Sequence, residues 1–212
     1  MSDLVSLQEA SKMLGVSVER VRQLVVSDHL SGVRFGSAWA VPRSEVKARQ
    51  NQANGRGRPL RPRGSWEAIF AGNVQLDSPI RYRNRAQMRR YQVGPGDAAF
   101  LRAHDSVLTS GVDAANGYGE SLAANDLTVL YLEAKSLELL DSVVALVPSP
   151  QGQTIFCVVE EGIWSSVVDH SSQFGQRRLV SHAAVALDLM NSADPRHWEA
   201  AERLLEGARA HD

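Results

Sequence analysis

Residues 6–49, SLQEASKMLGVSVERVRQLVVSDHLSGVRFGSAWAVPRSEVKAR, decide how the rest of the chain is organised. Ser6 and Glu9 have the spacing of a capping box, in which a hydroxyl accepts one orphan N–H and a carboxylate reaches back to another. Leu7, Ala10, Met13 and Leu14 follow at helical spacing, and Gly15 ends that helix where a left-handed residue costs least. Ser17 caps a second helix whose apolar positions are Val18, Val21, Leu24 and Val25. Only Gly15 and Val16 separate the first helix from that cap, which suits a tight turn between crossing helices. From Leu30 apolar residues recur at Val33, Phe35, Trp39 and Val41, with Gly36 and Ser37 as a turn, so a short hairpin is expected. Pro42 and Ser44 then start a third helix through Val46 and Ala48.

Helix, turn, helix and a tryptophan-bearing hairpin in this order resemble the excisionase/MerR-type winged helix-turn-helix DNA-binding domain. The resemblance implies that the second helix enters the major groove of an operator while the hairpin wing touches the backbone. Ser17, Glu19, Arg20, Arg22 and Gln23 lie off the apolar stripe of the second helix, and Arg34 and Ser37 lie on the wing. These are the candidate DNA-binding residues. The plainer alternative is a three-helix interaction module with a solvated charged face.

Around this unit the composition is that of an ordinary globular chain: 212 residues, 43% hydrophobic and 22% charged. Its one cysteine, Cys157, rules out an internal disulfide and lies in the apolar run of residues 154–159, as a buried structural thiol would. No basic-then-apolar leader and no run of membrane-spanning length is present, so a cytoplasmic protein is expected. The net charge of −1 conceals a division. Residues 1–90 hold 16 Lys and Arg against 7 Asp and Glu, whereas residues 91–212 hold 7 against 17. The first part suits a polyanion and the second would be repelled by one.

The expected organisation is a winged helix-turn-helix over residues 1–51, a basic linker over 52–64, and a mixed α/β domain over 65–212 for dimerisation or partner binding. Within the linker, Gly55 to Pro59 contain the Arg-Gly-Arg-Pro core of an AT-hook, whose arginines would be Arg56 and Arg58. A flexible basic linker that touches only phosphates fits the same residues. Beyond it, Trp66, Ile69 and Phe70 start a helix closed by Gly72, and residues 78–91 read as another. Arg81, Arg83, Arg85, Arg89 and Arg90 on the latter would form a supplementary basic surface. Further helices are expected at 98–103, 136–141, 180–190 and 196–208, and a turn into small-residue helix packing near Ser110. Strands are expected at 127–133, 143–147 and 154–159. Two or three strands with flanking helices make a small mixed α/β domain, and the whole an α+β fold.

The segments GRPLRPRGSWEAIFAG (57–72), LTSGVDAANGYG (108–119) and SHAAVALDLMNSADPRHWEAAERLL (181–205) resemble actinobacterial AbiEi-type antitoxins. That resemblance implies a regulator encoded beside a nucleotidyltransferase-like toxin, with its second domain opening at Pro59 and Leu60. No catalytic, cofactor or metal residues are assigned. The six histidines are scattered, Asp169 to Ser172 read as a polar loop, Glu160 and Glu161 as a solvated hairpin end, and Asp188 as a polar position on an amphipathic helix. The expectation is a sequence-specific transcriptional regulator, an antitoxin-like autorepressor of a toxin–antitoxin operon. Its partners would be a double-stranded DNA operator, the toxin and a second copy of the chain, with no membrane. The alternative is a phage-type excisionase, or recombination directionality factor, which more than 140 residues beyond the winged helix disfavour.

Overall fold

In the computed structural model of the chain, β1 (Leu4–Ser6) and β2 (Val33–Phe35) flank β3 (Ala38–Pro42) in an antiparallel three-stranded sheet. The structure describes residues 4–27, 30, 32–36, 38–43, 46, 49, 58–94, 96–124, 127–192 and 194–209, excepting the side chains of 35, 208 and 209. Phe35 is opposite Ala38, and Gly36 between them has φ 60°, a value that favours glycine; Ser37, the other residue of the expected turn, lies outside the described residues. β1 is a strand that the hydrophobic pattern did not announce, because three residues are too few to show a period.

Helix α1 (Leu7–Leu14) starts as expected, with Ser6 Oγ accepting Glu9 N–H at 3.1 Å, and ends at Gly15 with φ 64°. The other half of the capping box is replaced. Ser6 is held in the sheet opposite Ala40, and the Glu9 carboxylate takes Arg43 Nη2 at 2.6 Å. Helix α2 (Val18–Val26) buries Val21, Leu24 and Val25 against Val5, Ala10, Leu30, Val41 and Val46. Val18, expected on that apolar face, is 43% exposed on the first turn. Of the third helix, Val46 is buried, Ser44 and Ala48 lie outside the described residues, and Pro42 closes β3 instead.

The second unit begins where Leu60 N donates to the Arg81 carbonyl at 2.8 Å and Asn84 Nδ2 donates to the Leu60 carbonyl at 3.0 Å. The antitoxin resemblance implied an opening at Pro59 and Leu60, and these two bonds tie Leu60 to the second unit. Helix α3 (Pro62–Phe70), with proline in its first turn, starts inside the stretch read as linker.

Seven strands follow in the order β7-β4-β8-β6-β5-β10-β9. They are β4 (Gln87–Gln92), β5 (Leu108–Ser110), β6 (Thr128–Glu133), β7 (Val147–Pro148), β8 (Thr154–Val159), β9 (Ser172–Phe174) and β10 (Arg177–Leu179). β6 and β8 run parallel at the centre, in register from Thr128 opposite Thr154 to Glu133 opposite Val159. Both are almost wholly buried, and both carry continuous apolar runs, residues 129–132 and 155–159, as strands covered on two faces do. One face, with Val129, Tyr131 and Cys157, meets α3, α5 (Gly111–Gly117), α7 (Glu161–Asp169), α8 (His182–Leu189) and α9 (Pro195–Arg209). The other, with Leu130, Leu132 and Phe156, meets α4 (Asp97–Ala103) and α6 (Ala134–Asp141).

The fold is α+β as expected, a winged helix-turn-helix followed by a mixed α/β unit, but the sheet is larger than two or three strands. Residues 78–91 are not one helix: Pro79–Arg85 is a 3₁₀ helix and the rest enters β4. Gln87, Arg89 and Arg90 are good helix formers, and here pairing with β8 on one side and β7 on the other overrides them. Of residues 143–147 only Val147 is in a strand. Glu160 and Glu161 are no hairpin end; they open α7, where carboxylates favour the helix dipole.

Candidate nucleic-acid interface

The exposed side of α2 is set by what its other side buries. With Val21, Leu24 and Val25 turned into the core, Glu19, Arg20, Arg22 and Gln23 are left in solvent. Ser17, at the helix cap, accepts Arg20 N–H at 3.2 Å, which fixes the first turn and directs its free N–H groups outward. Arg20 Nη1 donates to Gln23 Oε1 at 3.2 Å, so these two are neighbours on successive turns. On the wing, Arg34 Nε donates to the Gly36 carbonyl at 3.0 Å, and its guanidinium lies 5.9 Å from the Trp39 ring centroid. Those contacts hold a cation at the hairpin tip. Ser37 and Arg56 lie outside the described residues, while Arg58 is exposed where the second unit begins.

Two residues join this face that the sequence pattern did not place on it. Arg49 has its pKa pushed down by partial burial and then by the charge of Arg20, which puts it in the electrostatic reach of α2. Val18, read as core, is exposed beside the cap, where an apolar group in a major groove could meet a thymine methyl. Chain order hides the first, because Arg20 and Arg49 are separated by the whole wing.

The basic excess is distributed differently from the expectation. Residues 58–90 alone hold eight arginines against Glu67 and Asp77, so much of it belongs to the second unit. Arg61, Arg63, Arg83, Arg89 and Arg90 are exposed there. Arg81 is half buried and donates to Gln75 Oε1 at 3.1 Å. Arg85, expected on the basic surface, is instead buried.

Arg85 organises a polar cluster beneath α8. Its Nη2 donates to Asp188 Oδ1 at 2.5 Å, Nε to Tyr131 Oη at 2.9 Å and Nη1 to the Tyr82 carbonyl at 3.0 Å. Tyr131 Oη donates to Asp188 Oδ1 at 3.2 Å and Ser110 Oγ to Oδ2 at 2.5 Å. Asp188 is thus no solvated position on an amphipathic helix; α8 is buried at nearly every residue around it. Burial lowers the pKa of Arg85, but Tyr131 and Asp188 outweigh it and the net shift is upward. Burial likewise pushes the Tyr131 hydroxyl and the Cys157 thiol well up, which keeps both neutral. Every polar atom of this cluster faces a protein partner, as an internal strut requires.

His170 Nδ1 is 2.8 Å from the Ser166 carbonyl and its ring stacks on Phe70 at 4.0 Å, so Asp169 to Ser172 assemble no triad. Among the described residues no three His, Cys, Asp or Glu side chains are placed to hold a metal, and no helix is long and apolar enough to cross a membrane.

Comparison with known families divides the chain along the same lines. Residues 4–54 match the family described as a helix-turn-helix domain. Residues 79–210, more than half of the chain, match the family described as a transcriptional regulator, AbiEi antitoxin, of type IV toxin–antitoxin systems. No curated protein and no solved structure matches.

Proposed function

The chain belongs to the AbiEi antitoxin family of transcriptional regulators, and from that premise we propose that it is a sequence-specific autorepressor of its own toxin–antitoxin operon. The observation that carries the reading is the exposed polar face of α2, where the side chains of Arg20 and Gln23 are bonded to each other beside a capped helix start. Arginine bonds guanine bidentately and glutamine does so with adenine, so this face suits base readout in a major groove. Arg34 and Ser37 on the wing, with Arg22 at the flank of α2, suit phosphates, which fix register without reading sequence. Glu19 accepts from a cytosine amino group and Ser17 presents its hydroxyl at the helix start. Arg56 and Arg58 join the two units as an arm that follows the backbone or a narrow A·T minor groove.

In this reading the chain divides functionally into the winged helix of residues 1–51, a connecting arm, and a second domain that meets a second copy or the cognate toxin. The chain itself carries out no catalysis. A nucleotidyltransferase-like toxin encoded beside it is the protein partner that the family membership favours over the integrase of an excisionase. A competition gel shift tests the proposal: the DNA upstream of its own gene should displace a labelled probe at far lower concentration than a shuffled sequence of equal length. Equal competition by both would overturn it.

A further inference from the structure

On the sheet face that carries α8, strand β4 is left partly uncovered, and a cavity of about 210 Å³ opens there. Its apolar lining includes Val129, Ile155 and Leu189. Met88 and Arg90, opposite Cys157 and Ile155 in the ladder, stand on the same face as those residues and line the cavity, where they and Asn191 are the exposed members. Met88 is 50% exposed. His197, in the first turn of α9, lines the inner wall and is only 9% exposed.

The polar groups here differ sharply in how they are satisfied. Asp188 also lines the cavity, but its two oxygens are taken by Arg85, Tyr131 and Ser110, so its charge is answered from within. Among the described residues the Arg90 guanidinium has no ion pair or hydrogen bond, and the His197 ring makes no hydrogen bond. Its ring nitrogens are not sealed off from the open space of the cavity, where a ligand atom can take the place of water. One open cation at the mouth, one accessible imidazole inside and an apolar lining between them define the complement of a small organic acid. The volume is about seven waters at roughly 30 Å³ each, the size of a one-ring or short-chain acid, and falls below that of pockets for drug-sized molecules.

We propose that this cavity is a binding site for a small carboxylate with an apolar body. Its carboxylate pairs with Arg90, its body lies on Val129, Ile155 and Leu189, and His197 meets it at the inner end. A site of this kind would let the second domain sense a metabolite of that class, and it stands independently of how the winged helix reads DNA.

The test uses the full chain with benzoate, phenylacetate and hexanoate as probes and benzamide as the uncharged isostere of the first. Saturation-transfer NMR should show at least one acid bound at millimolar concentration. Where benzoate binds, titration calorimetry should find benzamide weaker by about tenfold or more, the loss expected of a charge-assisted hydrogen bond. Arg90→Gln, at an exposed position, should keep the fold by circular dichroism and remove the preference for the acid. Met88→Trp should obstruct the mouth and weaken acid and amide alike. No transfer to any of the three acids would overturn the proposal, as would unchanged acid binding in both variants.

Discussion

Arg85 and Asp188 are 103 residues apart, and each looks like a surface residue in its own neighbourhood. Only the fold shows them as a buried pair, with side chains 4% and 5% exposed. Asp188→Asn should leave Arg85 charged and underpaired, and urea unfolding should show a loss of about 3–5 kcal/mol. Arg85→Met combined with Asp188→Leu should recover much of that loss, because no orphan charge remains; a double variant worse than the single would contradict this account of the pair. Cys157 makes a second, cleaner prediction because it is the only thiol. Burial raises its pKa and 1% exposure shields it, so Ellman's reagent at pH 8 should react only at the rate of unfolding. Rapid labelling of the folded chain would refute its burial. The burial of Cys157 was legible from its apolar run, whereas the role of Asp188 was not, since pattern records a polar residue without recording its partner.

Local signals read well where the element is self-contained. Ser6, Gly15 and Ser17 mark the ends of α1 and α2 because caps act on their own first turn, and Gly36 marks the wing by its positive φ. Ser17→Ala should therefore cost roughly 1 kcal/mol in thermal or urea unfolding of the winged helix. A shift within error would mean that the cap bond to Arg20 contributes nothing in solution. The reading fails where an element is made by its neighbours. β4 has helix-forming residues yet lies between β7 and β8, and the β9–β10 hairpin is too short for its period to show. At the turn before β8, Gly152 is close-packed: a Cβ there would lie 2.2 Å from the Tyr91 backbone. Gly152→Ala should consequently loosen β4 and expose its amides to hydrogen exchange while α1 and α2 stay protected. Uniform protection would show that the strand does not depend on that contact.

At the scale of the molecule, the winged helix has its own apolar core, apart from the two that sandwich the large sheet. The boundary in charge near residue 90 is not the boundary between folded units, because it cuts through β4. A fragment beginning at residue 58 keeps α3 and β4 with the rest of their sheet, so it is the proper partner for a winged-helix fragment ending near residue 54. If the whole chain makes about six phosphate contacts, log K should fall with log salt at a slope near −5. A similar slope for residues 58–212 alone would move the electrostatic footprint to the second unit. In the proposed function α2 reads bases while the wing holds the backbone. Binding-site selection from random DNA, run on the full chain and on Arg20→Ala, Gln23→Ala and Arg34→Ala, tests it most directly. Arg20→Ala and Gln23→Ala should each relax the consensus and cost roughly 1–3 kcal/mol on the parent site, while Arg34→Ala should keep the consensus at uniformly lower affinity. An unchanged consensus in both α2 variants would contradict it.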